Sequence, residues 1–319
     1  MSDAGQPLVA ICTPIYNGER YLDETMASVQ AQTYGNCVHV VLDNCSTDGT
    51  ADIIAKYKGG RVPLITARNE SLLPLYQNWN KCLTLMPAEA AYFRTLASDD
   101  TIEPTYTEKL VAVAERDSAI GVIACGVRVG SKIMDRFPSG ESFDGKSITR
   151  AYFHDDLDLL APQVLFRRRR YDRAPGKFFD TDNFYSDMDC VMQTMAEERV
   201  GYVHEVLAFT RVHEESQTTL ISDKERVHCA EWLIWLATFG AKAMPAHEVA
   251  DLRRRFQRYY FRNMMRWKFF DHNEALVAKH NAKLAKISAQ PTMSDYADAV
   301  ADGCLKKFGL RPGWNRYPY

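Results

Sequence analysis

Four polar clusters close apolar runs in the first third of the chain: "CTPIYNGE" at residues 12–19, "LDNCSTDGT" at 42–50, "ARNES" at 67–71 and "LASDDTIEP" at 96–104. In the second cluster, Asp43 ends its run, where a carboxylate can accept from an imide or amide N–H of a nucleobase. In the fourth, Asp99 and Asp100 are adjacent carboxylates, which repel unless a cation or basic group offsets them. Hard divalent ions take oxygen ligands, so a diphosphate held by a metal ion suits this charge pattern. Taken singly, each cluster is also what a helix cap looks like, Asp48 and Gly49 included. Four in succession at equivalent places point to a shared ligand.

The elements that must position them follow from the hydrophobic pattern. Apolar runs predict strands at residues 8–12, 38–42, 63–66, 92–97 and 120–127, and helical periodicity falls between them at 19–31, 49–57, 74–85 and 104–116. Strand and helix alternating at this spacing give a mostly parallel, Rossmann-like α/β sheet with helices on both faces, whose ligands bind outside the carboxyl ends of the strands. From 130 to 177 the signals weaken into loops and short strands. A helix is predicted over 187–198, then two short strands, "VGYVH" and "VLAFTRV". After 222 the chain reads as nearly continuous helix to about 305, broken near Pro245, Asn273 and Pro291. The expected organisation is therefore an α/β domain over 1–221, with one half to about 128 and a second over 129–221, followed by a helical C-terminal subdomain over 222–319.

Composition narrows the classes. With 319 residues, 46% of them apolar, the chain can bury a full core. The formal charge of -2 supplies no global field for nucleic acid, which is excluded as a partner. Eight cysteines, scattered without ligand spacing, suggest neither a zinc knuckle nor a disulfide framework, and fit a reducing cytoplasm. The start "MSDAGQP" lacks the pattern of a signal peptide. The most apolar stretch, "WLIWLATFGA" at 232–241, is shorter than the roughly 18 residues of a membrane span.

The chain resembles the family 2 glycosyltransferases, which have the GT-A fold. The matching pieces are "VAICTPIYNGERYLDETMASVQAQTY", "VVLDNCSTDGTADI", "ARNESLLPLYQNWNKCL", "YFRTLASDDTIEP", "YSDMDCVMQTMAEERVGYV" and "VLAFTRVHEESQT", covering roughly residues 8–218 in the family's order. The resemblance implies a metal-dependent, inverting transfer of sugar from a nucleoside-diphosphate sugar to an acceptor hydroxyl, with Mn²⁺ or Mg²⁺ as cofactor. The acceptor would be a glycan or lipid-linked glycan in the assembly of polysaccharide, O-antigen or another surface glycan. By position, Pro14, Tyr16 and Glu19 would line the nucleoside pocket and Asp43 would bind the base, with Arg68 and Asn69 beside it. Asp99 and Asp100 would form the DXD element that meets metal and diphosphate, although Ala97 stands where relatives place its first Asp. Arg211 and His213 match a late RxH element over the diphosphate, His213 as a further metal ligand. Asp187 falls where these enzymes place their base. Ser186 replaces the usual preceding Glu, so Asp189 is the alternative; i and i+2 on a helix point about 200° apart, and one of the two faces the site.

Two basic segments carry bland and functional readings together. "RRRR" at 167–170 reads as a solvated charge run, or as a contact for an anionic or lipid-diphosphate acceptor. In "LRRRFQRYYFRNMMRWKFF" at 252–270, Arg255, Arg258, Arg262 and Arg266 form one stripe and Leu252, Phe256, Tyr260, Met264 and Trp267 another. That pattern suits a helix docked by its apolar face with a solvated arginine face, or peripheral attachment to an anionic membrane at its cytoplasmic side. Self-association is left open. The competing classes are a sugar nucleotidyltransferase, which needs a Gly-rich phosphate loop where this chain has only Gly18, and a non-catalytic nucleotide-sugar-binding module. A haloacid-dehalogenase-type phosphatase needs an Asp where Cys45 stands.

Overall fold

The computed structural model describes residues 5–159, 163–214, 216 and 226–308. The expected boundary at 221/222 and the last residues of the matched pieces, 217 and 218, lie outside them.

Among the described residues, ten strands form one sheet: β1 (Leu8–Ile15), β2 (Cys37–Asp43), β3 (Leu64–Arg68), β4 (Ala90–Thr95), β5 (Thr101–Ile102), β6 (Ile120–Val129), β7 (Lys132–Met134), β8 (Ser142–Phe143), β9 (Leu165–Arg167) and β10 (Arg199–Thr210). Their spatial order is β3-β2-β1-β4-β9-β6-β10-β5, with β7 on β6 and β8 on β10. Pairing is parallel from β3 to β4 and between β6 and β10, while β9 runs antiparallel to both its neighbours. The helices α1 (Leu22–Gln30), α2 (Thr50–Lys56), α3 (Leu75–Thr84) and α4 (Tyr106–Arg116) connect the first strands; α5 (Gly145–Phe153), α6 (Arg168–Tyr171) and α7 (Ser186–Glu197) follow.

Strands buried on both faces are mostly apolar, and β1 and β2 are, apart from Thr13, His39 and the closing Asp43. Val9 and Ile11 of β1 pack in one cluster with Tyr106 and Leu110 of α4. Cys12, one residue on, meets Cys82 of α3. Alternation along the strand puts these contacts on opposite faces, so helices cover both sides of the sheet. The exception inside β2 is His39, fully buried, whose Nε2 lies 2.8 Å from the Thr13 hydroxyl. Burial pushes its pKa down to about 3, and the ring is neutral.

Three local expectations change. The two short strands expected after α7 are one strand, β10, whose register against β6 shifts between Val203 and Val206. The exposed pair His204 and Glu205 sits at that irregularity and interrupts the apolar run, which is why the sequence reads as two. Helix α5 lies where loops were expected; Asp144 accepts hydrogen bonds from Ser147 N and Oγ at its start. The arginine run is not a solvated face. Arg170 is buried and paired with Glu197 and Glu198, Arg169 with Glu198, and Arg168 with Asp172, while Arg167 donates to the Ile120 carbonyl. Carboxylates arriving at the end of α7 make this run the brace between α6, α7 and β6.

The chain divides into two compact units, Met1–Ile148 with Asp156–Val212, and Thr149–Asp155 with His213–Tyr319. The second contains α8 (His228–Trp235), a π-helical turn Leu236–Gly240, α9 (Ala241–Ala243), α10 (Ala246–Phe269), α11 (Glu274–Ala285) and α12 (Met293–Lys307). Pro245 precedes α10 and Asn273 caps α11, accepting from Leu276 N at 3.1 Å, so these two expected breaks fall where a proline and a side-chain cap begin helices. The apolar stripe of α10 is buried, with Phe256 stacked on Trp232 at 4.3 Å. The arginine stripe is not open to solvent along its length: Arg258 pairs with Asp298 and Arg262 with Asp302, both on α12. Among the described residues, no helix is long and apolar enough to cross a membrane.

Candidate active site

The carboxyl ends of β1, β2 and β3 are laced together by the polar residues that close them. Asp43, the last residue of β2, is only 4% exposed. Its Oδ1 accepts from Ser46 N at 2.9 Å, and its Oδ2 is paired with Arg68, its register partner at the end of β3. Arg68 also donates to the Ser46 carbonyl at 2.7 Å, which fixes the guanidinium flat against the turn. An acceptor and a donor thus stand side by side at the sheet edge. Asn69 is buried behind them and donates to Asn44 and Asn78.

The loop after β1 covers the turn after β2. Asn17 N donates to Ser46 Oγ and Thr47 N to Asn17 Oδ1, both at 2.9 Å, and Gly18 N donates to Thr50 Oγ1 at 2.8 Å. Glu19 accepts from Gly49 N at 3.1 Å while its own N–H donates to Asp48, so Glu19 serves as a cap at the start of α2. Pro14 is buried within β1, whereas Tyr16 stands 49% exposed just beyond the strand. Of the three residues expected to line a nucleoside pocket, Tyr16 is the aromatic one, and its side chain is exposed.

Asp99 and Asp100 follow β4 but do different things. Asp100 is buried; Oδ1 accepts from Arg211 N at 2.9 Å and Oδ2 from Gln163 Nε2 at 2.7 Å. Burial and then the neighbouring charge of Asp99 push its pKa up to about 7. Gln163 in turn accepts from Arg94, which is fully buried with its guanidinium 4.5 Å from the centre of the Tyr106 ring. Asp99 is the more exposed of the pair. Its backbone carbonyl accepts from Arg211 Nε at 3.1 Å, and Arg211 Nη2 reaches Glu24 at 2.5 Å above the Tyr21 ring. Asp99 and Arg211 therefore lie together, next to the loop that carries Gly18 and Tyr21. Among the described residues no three His, Cys, Asp or Glu side chains converge as a metal site made by protein alone requires. The Asp99 carboxylate, in a segment that also meets Arg211, fits a metal ion that takes its remaining oxygens from a diphosphate and water, the usual habit of Mg²⁺. His213 is the first residue of the second unit and is half-buried there.

Asp187 and Asp189 open α7 and diverge as their spacing requires. Asp189 is tied to the Asn183 amide. Asp187 Oδ1 accepts from Met188 N at 2.8 Å and lies 3.4 Å from the Tyr76 hydroxyl of α3. Its Oδ2 makes no hydrogen bond and no ion pair among the described residues. Burial pushes the Asp187 pKa up to about 6. Such a carboxyl is ionised at neutral pH yet close enough to it to take a proton, which is what a general base needs. Neither Tyr76 nor the Arg94–Gln163 support of Asp100 has a sequence signature of its own; both act over long sequence separations, and the one local signal is a charged residue inside the apolar run of β4.

A family model described as Glycosyl transferase family 2 matches residues 10–173. An uncharacterized glycosyltransferase of Rickettsia typhi, RT0329, is 26% identical over 237 residues, 71% of this chain and 70% of that protein. The putative teichuronic acid biosynthesis glycosyltransferase TuaG of Bacillus subtilis is 32% identical over 117 residues, 36% of this chain and 45% of TuaG. Among solved structures, S. aureus TarS 1-349 in complex with UDP-GlcNAc superposes with a TM-score of 0.71 at 16% identity, covering 97% of this chain and 93% of that one.

Proposed function

The chain belongs to glycosyl transferase family 2 and is a glycosyltransferase of GT-A fold, and from that premise we propose a metal-dependent, inverting transfer from a nucleoside-diphosphate sugar to an acceptor hydroxyl. The observation that carries this reading is the Asp187 carboxyl, with one oxygen held and the other open at a pKa raised to about 6. A single displacement needs one such base and no protein nucleophile. The acceptor hydroxyl attacks the anomeric carbon opposite the leaving diphosphate, and Asp187 removes its proton.

The donor fits the strand ends described above. Asp43 and Arg68 offer one acceptor beside one donor, the complement of an imide, in which an N–H is flanked by carbonyls. Both Asp43 oxygens already carry a partner, which disfavours the two adjacent N–H groups of guanine and favours uracil or thymine. The base would lie against Tyr16, and Arg211 with Asp99 would meet the diphosphate. A divalent ion held there would stabilise the charge developing on the leaving oxygens. The likeness to TuaG supports a role in surface polysaccharide assembly.

The test begins with a binding screen of uridine, thymidine, guanosine and adenosine diphosphates and their sugars in the presence of Mn²⁺ or Mg²⁺. The bound donor is then incubated with candidate glycan acceptors, and the product's anomeric configuration is read by NMR. Release of nucleoside diphosphate with an inverted glycoside is the expected result. A retained configuration, or a nucleotidyl product, would reject the reading.

A further inference from the structure

Tyr76 has one hydroxyl hydrogen and two acceptors within reach. Its oxygen lies 2.8 Å from the Phe184 carbonyl and 3.4 Å from Asp187 Oδ1, and a phenol can donate to only one of them at a time. The ring is held in place by packing: it stacks on Phe179 at 5.3 Å and meets Trp79 edge-on at 6.0 Å. Phe179 is itself pinned to α3, because Asn80 exchanges hydrogen bonds with its N–H and carbonyl at 2.8 and 2.7 Å. Only the hydroxyl hydrogen is therefore free to move.

We propose that Tyr76 is a positioning residue for the transfer reaction, its hydroxyl hydrogen alternating between the Phe184 carbonyl and Asp187 as that carboxyl gains and loses the acceptor proton. This rests on Asp187 acting as the base. While Asp187 is ionised, the Tyr76 hydroxyl turns to Oδ1 and holds the carboxylate with its open Oδ2 toward the acceptor. When the acceptor O–H bond breaks, its proton passes to Asp187. The Tyr76 hydrogen then returns to the Phe184 carbonyl, and the neutral acid no longer competes for it. Tyr76 keeps its own hydrogen throughout, and the transferred proton leaves Asp187 for water after product release. Burial and the neighbouring Asp187 charge hold the Tyr76 pKa well above its usual value, so the phenol stays protonated across the working range.

No cation pairs with Asp187 among the described residues to share this task. The titratable groups that interact with Asp187 are Tyr76 of α3 and Cys190 of its own helix, and Cys190 is itself flanked by Asp180 of the preceding loop, Asp189 and Arg170 of α6. Asp189 and Arg170 are engaged elsewhere, with Asn183 and with Glu197 and Glu198. Cys190, buried, stays a neutral thiol because burial raises its pKa well above the usual value.

The experiment compares the pH profiles of transfer for the parent, Tyr76→Phe and Asp187→Asn, with donor affinity measured in parallel. Tyr76→Phe keeps the ring stacking and removes only the hydroxyl. Its acid limb should move up by about one pH unit, which lowers kcat about twofold at pH 7 and about eightfold at pH 5.5, with donor affinity unchanged. A residue that only filled space would leave the limb in place. If the Tyr76→Phe profile superimposes on the parent while Asp187→Asn is inactive, the Tyr76 proposal is overturned and the base assignment stands. If Asp187→Asn transfers at the parent rate, the base assignment and this proposal fall together.

Discussion

Arg68 and Asp43 stand opposite each other at the last paired position of β3 and β2, and their side chains form an ion pair at the carboxyl edge of the sheet. The pair holds a donor and an acceptor at fixed spacing before any ligand arrives, and this preorganisation limits the entropy lost on binding. Asp43→Ala should therefore weaken free nucleoside as much as the complete donor, since the proposed contact is to the base. Loss of one charge-assisted hydrogen bond costs roughly 1.5 to 3 kcal/mol, about 10- to 150-fold in affinity. Calorimetry with nucleoside and with donor checks this; equal affinity in parent and variant would make Asp43 a turn residue only.

Asp99 and Asp100 should separate into a metal ligand and a structural acceptor. Asp99→Ala should abolish most of the difference in diphosphate affinity measured with and without chelator, and leave the melting temperature near that of the parent. Asp100→Ala strands the Arg211 N–H and leaves the Gln163 amide with only the Thr210 hydroxyl to donate to, at a cost of about 1 to 3 kcal/mol. Thermal unfolding of the two variants reads the contrast directly.

The α6–α7 brace makes a prediction about stability alone. Glu198 and Arg170 are both nearly inaccessible, their side chains 8% and 3% exposed, and Arg169 and Arg173 bind the same carboxylate. Glu198→Ala leaves Arg170 with Glu197 as its one carboxylate partner, and removing one partner of a buried pair commonly costs about 3 to 5 kcal/mol. Urea unfolding should show that loss in the midpoint. A change under about 1 kcal/mol would mean that the network relaxes at little cost.

These cases mark what was legible in the sequence. Asp43, Arg68 and Asp99 were candidates because an apolar run ends beside them, and the parallel sheet followed from the same periodicity, whereas Asp187 was a candidate through the family resemblance alone. Arg94 could not be assigned a partner, since the groups that accommodate it, Gln163 and Tyr106, lie in other segments of the chain. The Tyr76–Asp187 contact spans 111 residues and has no local signature. The arginine run misled for a related reason: its four charges look solvated until α7 brings Glu197 and Glu198 against them. Periodicity reports which face a side chain takes, but charge pairing across elements depends on the assembled fold.

The base assignment sets a pH dependence with a definite sign. Asp187 must be ionised to accept a proton, and its pKa is raised to about 6, so kcat/KM should be level above that value and fall about tenfold per unit well below it. An acid limb near pH 4, the ordinary carboxylate range, would mean that burial does not raise this group in solution.

The most direct measurement of the account is steady-state transfer by Asp187→Asn and Asp189→Asn, with donor affinity determined alongside. Asn keeps the shape of Asp187 but not its basicity, and it touches neither the base pocket nor Asp99. Turnover of Asp187→Asn should fall by about 10² to 10⁴ at unchanged donor affinity, the usual contribution of a positioned general base. Asp189→Asn, altered where the side chain is occupied with Asn183, should lose far less. Full activity in Asp187→Asn, or a larger loss in Asp189→Asn, would contradict the assignment of Asp187 as the group that takes the acceptor's proton.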